Sequence, residues 1–218
     1  MIDDVEADRV QSFRDDLLTR AVAGDPVGMC AQLDRATAMF SLGTCIDGVL
    51  LPALREVGSR WQAGIVDVET ERLTTETVRA WLERLTALAP EPSPAPPLLL
   101  ACGPGDQHSV GLEALAVLLR YDRRRCRILG ARASPRALTI AVKASEPSAV
   151  VVVSHLATMR VHAVQSLQAM VGLGPVLFYA GRSFDGVRAR VDLPGTYLGT
   201  NLHDACGLIL AAVDGRAR

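Results

Sequence analysis

Five prolines stand within the nine residues Ala89-Pro90-Glu91-Pro92-Ser93-Pro94-Ala95-Pro96-Pro97. Nothing else in the chain limits its fold as strongly. Proline has no backbone N–H and its ring locks φ, so this stretch continues no helix and pairs in no sheet centre. It favours extended polyproline geometry and acts as a semi-rigid spacer. The chain therefore reads as residues 1–89, a linker over 90–97 and residues 98–218, with different hydropathy patterns on the two sides.

Before the linker the pattern is helical. Val5, Val10, Phe13, Leu17, Leu18 and Val22 recur at three-to-four spacing. Gly24 closes that helix, and Asp25-Pro26 opens the next with a cap and a first-turn proline. Ser41 or Thr44 opens a third, carrying Ile46, Val49, Leu50, Leu54, Val57 and Trp61, and Gly64 ends it. Asp67 caps a fourth, with Leu73, Val78, Trp81, Leu82 and Leu85 on one side. Four helices with short joints predict an antiparallel four-helix bundle.

After the linker, short apolar runs alternate with helical patterns. The runs are Leu98–Cys102, Cys126–Leu129, Ala149–Val153, Val176–Tyr179 and Tyr197-Leu198, with helices over 110–121, 135–144, 160–171 and 201–213. Continuous apolar strands are buried on both faces, which points to a parallel sheet. The expectation is α/β: a helical bundle followed by a doubly wound five-stranded parallel domain with right-handed crossovers.

Charge narrows the function classes. With 23 basic and 24 acidic residues, the formal net charge is −1. No face is set up to neutralise phosphates and no basic recognition helix appears, so direct nucleic-acid binding is not expected. The run Arg120–Arg127 reads as a solvated helix end, where cations suit the helix dipole. No apolar run reaches the roughly 18 residues of a membrane span, and the acidic N-terminal segment is not a signal peptide. Five scattered cysteines without CxxC spacing predict buried structural thiols in a reducing cytoplasm.

The chemistry concentrates in Asp106-Gln107-His108-Ser109-Val110-Gly111, directly after the first apolar run of the second half. A loop in that position sits at the carboxyl edge of the sheet, where such folds bind ligands. Asp106 is placed to hold one nitrogen of the His108 ring and leave the other for a metal. Two more loops converge there: Ser154-His155-Leu156 after Val150–Val153, and Ala180-Gly181 after Val176–Tyr179. Gly111 lets the first helix start close to a ligand. His155, His162 and His203 lack comparable support and read as ordinary helix or loop residues.

Asp-x-His-x-x-Gly, then Ser-x-Leu after 42 intervening residues, then a small-Gly pair, resembles the cobalamin-binding domain of base-off/His-on proteins. That family has a flavodoxin- or Rossmann-like sheet. The resemblance implies His108 as the lower cobalt ligand, Asp106 bonded to its other nitrogen, and Ser154 extending that relay. It also implies a nucleotide tail beside Ser154, Leu156, Ala180 and Gly181. Ala180 departs from the family's usual glycine and narrows the tail channel slightly.

In the helical half, Glu56-Val57-Gly58-Ser59-Arg60-Trp61, Gly64 and Glu71-Arg72 resemble the cap of light-sensing cobalamin repressors of the CarH type. There the bundle covers the upper face of the corrin, and a tryptophan and a glutamate ten residues later shield the upper ligand. The matching residues are Trp61 and Glu71; Trp61 as a core anchor between helices is the competing structural reading. Where that family has histidine, this chain has Arg72, which stays protonated and cannot ligate cobalt. No helix-turn-helix is visible, so the chain resembles the sensor half alone. Guanidinium suits carboxylates, including tetrapyrrole propionates, and truncated relatives called photocobilins hold cobalamin and a bilin together. The resemblance thus implies a cobalamin-binding photoreceptor, with adenosylcobalamin or another form bound, biliverdin near Arg72, and signalling through a dimer or a protein partner. The competing expectations are a corrinoid subunit of a methyltransferase system and a cobalamin storage protein, and for Arg72 an ion pair with Glu69 or Glu76.

Overall fold

The structure, a computed structural model, describes residues 4–216. It divides into two compact units at Leu88/Ala89. The first is helical: α1 (Asp4–Val22), α2 (Pro26–Met39), α3 (Leu42–Thr44), a π-helical turn (Cys45–Leu50), α4 (Leu51–Gln62) and α5 (Val68–Leu88). Local chemistry sets the boundaries. Gly24 and Gly64 have φ of +66° and +71°, a left-handed turn that suits glycine after a helix. The Asp25 carboxylate accepts the Gly28 N–H at 2.8 Å, with Pro26 in the first turn. The Ser41 hydroxyl accepts the Thr44 N–H at 3.0 Å, and Asp67 accepts the Thr70 N–H at 2.7 Å.

Two features of this unit depart from the periodic reading. The third helix contains a π turn, in which the Leu51 N–H bonds back to Ile46 O. Pro52 follows directly; inside a regular α-helix its ring would meet the carbonyl four residues earlier, and the wider turn relieves that crowding. Leu73, expected on the inner face of α5, is exposed, as are Val5 and Val22 of α1. Leu33, Ile46, Val49, Leu50, Val57, Val78, Trp81 and Leu82 form the interior instead.

The second unit is α/β. Its strands are β1 (Leu98–Cys102), β2 (Cys126–Gly130), β3 (Ala149–Val153), β4 (Val176–Ala180) and β5 (Thr196–Tyr197), and its helices are α6 (Val110–Tyr121), α7 (Pro135–Ser145), α8 (Arg160–Ala169) and α9 (Leu202–Arg216). The five strands are parallel in the order β2-β1-β3-β4-β5. Every residue of β1 and β3 is buried, as continuous apolar runs require. β2 differs from that expectation: as an edge strand it has a neighbour on one side only, and Arg127 and Leu129 are exposed. Leu99, Ala101, Val150, Val152, Leu177 and Tyr179 share one sheet face and pack with Leu138 and Val142 of α7 and Ala163 and Leu167 of α8.

Among the described residues, no helix is long and apolar enough to cross a membrane. None of the five cysteines is in a disulfide. Cys45, Cys102 and Cys206 are buried, whereas Cys30 and Cys126 are only half-buried, against the expectation of uniform burial.

Candidate functional site

The strand order reverses between β1 and β3: from β1 the chain goes outward to β2, then returns to β3 on the other side. Such a switch point opens a crevice at the carboxyl ends of the two strands. β1 and β3 end level, with Cys102 opposite Val153, and the Gly103 N–H closes the gap by donating to Val153 O at 2.8 Å. The loops of interest leave from these ends. The first is pinned by the β2–α7 connection, whose Arg132 N–H donates to Asp106 O at 3.0 Å.

Asp106 is fully buried and organises the edge. Its Oδ1 accepts the His108 backbone N–H at 2.9 Å and lies 2.8 Å from the His108 ring Nδ1. Its Oδ2 accepts the backbone N–H of His155. Burial by itself would push this carboxyl up. The N–H groups of His108 and His155, with the His108 ring, outweigh burial and hold it below the ordinary carboxylate value. An ionised carboxylate accepts only, so Nδ1 of His108 carries the proton. In the neutral ring the lone pair is then on Nε2, and the His108 side chain is 56% exposed. The arrangement is a carboxylate-oriented imidazole with one nitrogen available to a metal. Among the described residues, no group of three or more His, Cys, Asp or Glu side chains is placed to hold a metal ion.

The second loop differs from expectation in two ways. Ser154 does not extend the relay from Asp106. Its N–H donates to Ala180 O at 2.9 Å and its carbonyl accepts the Ser183 hydroxyl at 2.9 Å, but its own buried hydroxyl has no hydrogen-bond partner among the described residues. The relay position is filled by the His155 backbone N–H, because that group already satisfies the second oxygen of Asp106. Nor is His155 an ordinary loop histidine. Its ring meets the His108 ring edge-on, with centroids 5.6 Å apart. Burial keeps His155 protonation below its usual range, against the opposing pull of Asp106. Sequence alone gave no signal for this role beyond its place between Ser154 and Leu156. His162 and His203 lie exposed on α8 and α9.

The third loop supplies a narrow cradle. Gly181 has φ +103° and ψ 159°, a region essentially restricted to glycine. A Cβ there would stand 2.2 Å from Ser154 O. Ala180 beside it is half-buried, and Leu156 is 37% exposed. Gly111 has open space where a Cβ would point. A single oriented imidazole, an unpartnered buried hydroxyl and glycines at the strand ends together fit a large ligand that takes one histidine and lies along this edge.

The helical unit places its own candidates. Trp61, near the end of α4, is 43% exposed, so it is not the core anchor; that part belongs to Trp81, 1% exposed, whose indole N–H donates to Asp34 at 2.8 Å. Glu71 is half-buried and accepts the Thr75 hydroxyl at 3.1 Å. Arg72 is exposed and forms no ion pair with a described residue, so pairing with Glu69 or Glu76 does not occur; Glu76 holds Arg79 instead at 2.7 Å.

Residues 13–86 match the B12 binding domain family. The match lies on the helical unit. The chain is 34% identical over 137 residues to the HTH-type transcriptional repressor CarH of Myxococcus xanthus, covering 63% of this chain and 46% of that protein. It is 38% identical over 119 residues to the HTH-type transcriptional repressor CarA of the same organism, covering 54% and 38%. The chain thus spans less than half the length of these curated relatives. Among solved structures, the monomethylamine corrinoid protein of Methanosarcina barkeri superposes with a TM-score of 0.74 at 14% identity, over 92% of this chain and 98% of that one. The methanol:cobalamin methyltransferase complex MtaBC of the same organism gives 0.50 at 15% identity, over 96% and 83%. Likeness at such identity establishes the fold. With the B12 binding domain match and the similarity to CarH and CarA, these findings support cobalamin binding.

Proposed function

We propose that the chain is a cobalamin-binding sensory protein that responds to light. One observation carries the reading: buried Asp106 ties the His108 ring through Nδ1 at the switch-point edge, leaving Nε2 for cobalt. His108 would hold the cobalt, and Gly111, Ser154, Leu156, Ala180 and Gly181 would flank the nucleotide tail. Cobalamin, when bound, would supply a light-absorbing cobalt centre with an exchangeable ligand. Trp61, Glu71 and Arg72 of the helical unit are the further residues assigned to the cofactor. Support comes from the exposure of Trp61, which leaves much of its surface uncovered, and from the identity shared with CarH.

Arg72, exposed and without an ion pair among the described residues, supports a further element of the proposal, a bilin such as biliverdin held through a propionate. The signal leaves as a change in dimerisation or in binding of a protein partner. Cysteines outside any disulfide fit a cytoplasmic setting. The competing reading, a corrinoid methyl carrier, is supported by the fold shared with the monomethylamine corrinoid protein.

One set of measurements tests these readings together. The protein is loaded with adenosyl-, methyl- or hydroxocobalamin, with and without biliverdin, and its absorption and oligomeric size are recorded in darkness and in light. Light-dependent change in spectrum and size is expected, with a red-shifted bilin band when biliverdin is present. Unchanged spectra and sizes on illumination remove the sensor reading. A free-bilin spectrum removes biliverdin. Methyl transfer in the dark from the methylcobalamin-loaded protein to an acceptor favours the carrier.

A further inference from the structure

A second imidazole stands beside the proposed cobalt ligand. The His108 and His155 ring planes meet at 66° with centroids 5.6 Å apart, within the roughly 4.5–7 Å range of edge-to-face pairs. Backbone contacts on both sides fix where His155 begins. The preceding Ser154 N–H is tied to Ala180 O, and the His155 N–H to Asp106. His155 is therefore held by the same carboxylate that holds the His108 ring, and the two histidines share one anchor.

That shared anchor leaves one freedom unrestrained. A ring bonded only through Nδ1 to a carboxylate oxygen keeps its distance, yet it still tilts about that bond. To hold a metal, Nε2 would have to keep one direction, because an imidazole donates through the lone pair that lies in its ring plane. The His155 ring supplies the missing restraint by lying against the exposed His108 ring. The geometry points to His155 as a positioning residue that sets the plane of the His108 imidazole and so the direction of its Nε2. This inference rests on the cobalamin reading above. It explains why the two loops are locked so closely at a place where His108 is otherwise open to solvent.

The test uses the full chain with His155→Ala, His155→Phe and His108→Ala. Each protein is prepared with 15N-labelled histidine and bound to cob(II)alamin, and two quantities are read: the dissociation constant, and the 15N splitting in the electron paramagnetic resonance spectrum that reports a protein imidazole, and not the cofactor's own base, on cobalt. An edge-to-face contact of ordinary strength corresponds to about a three- to tenfold change in affinity. His155→Ala is expected to weaken binding by about that factor and to reduce the nitrogen-split fraction. His155→Phe keeps a ring against His108 and is expected to retain both. Unchanged affinity and splitting in His155→Ala overturn the inference. So does a His155→Phe protein that melts like the wild type without cobalamin yet loses the splitting. Failure of the parent reading looks different: His108→Ala then keeps the splitting, and His108 is not the ligand.

Discussion

Asp106 joins His155 across the switch point of the sheet: its Oδ2 takes the His155 backbone N–H while its Oδ1 holds His108. One buried carboxylate thus clamps the loop after β1 to the loop after β3. Asp106→Asn keeps the shape but replaces one acceptor oxygen with a donor. One of the N–H partners then loses its bond, and the His108 ring is no longer oriented by a charge. Carboxylates that orient a metal-bound histidine are typically worth about 10–100-fold in affinity. Cobalamin titration of Asp106→Asn is expected to show a loss in that range, and binding equal to the wild type would contradict it.

Gly181 and Gly111 are both glycines at the edge, but they answer to different demands. Gly181→Ala places a Cβ 2.2 Å from Ser154 O at a backbone conformation reserved for glycine. Such strain costs on the order of 1–3 kcal/mol, and a lowered melting temperature is expected even without ligand. Apart from its chain neighbours and the backbone of its own helix, Gly111→Ala meets no atom of a described residue within 4 Å. It sits at the start of α6, where alanine is a better helix former than glycine. Undiminished thermal stability with weaker cobalamin binding is expected there. A Gly111→Ala protein that melts early would refute the assignment of that open space to ligand.

The two tryptophans are expected to separate in the same kind of measurement. Trp81→Ala removes a side chain that is 1% exposed, together with its bond to Asp34. A loss of about 3–5 kcal/mol is expected in chemical denaturation. Trp61→Ala removes a 43% exposed ring and is expected to change stability by about 0.5 kcal/mol or less. Its effect appears instead in the spectrum of the bound cobalamin and in the response to light. A strongly destabilised Trp61→Ala protein would reassign Trp61 to the core.

Acid is expected to loosen the helical unit through Asp34. Burial would raise this carboxyl, but hydrogen bonds from Arg84 and Trp81, with the Arg84 charge, hold it below its ordinary value of 3.8. A group lowered in the folded state stabilises fully above its unfolded value, and that contribution is lost as pH falls through the folded one. The melting-temperature gap between wild type and Asp34→Asn is therefore expected to be constant near neutrality and to narrow as pH falls below about 4. A gap that widens on acidification would show the sign to be wrong.

Much of the fold is legible along the chain because its causes are local. Five prolines interrupt regular structure between the helical and the α/β patterns. Ser41, Asp67 and Asp25-Pro26 open helices by chemistry that acts within four residues. The apolar runs of β1 and β3 need two covered faces wherever they fold. The Asp-x-His pair belongs to the same class, since two residues of spacing suffice for Asp106 to reach the His108 ring.

What the sequence could not decide depends on contacts between distant residues. Trp61 and Trp81 share an apolar stripe pattern, and only packing makes one exposed and the other buried. The Ser154 hydroxyl is left without a partner because the oxygen it was expected to reach is taken by its neighbour's backbone. His155 gains its place beside His108 from the pairing of β1 with β3, which brings together loops 49 residues apart. Local chemistry determined which residues could form helices, strands and an oriented imidazole. The order of strands in the sheet decided which loops meet, and so which second imidazole stands against the first.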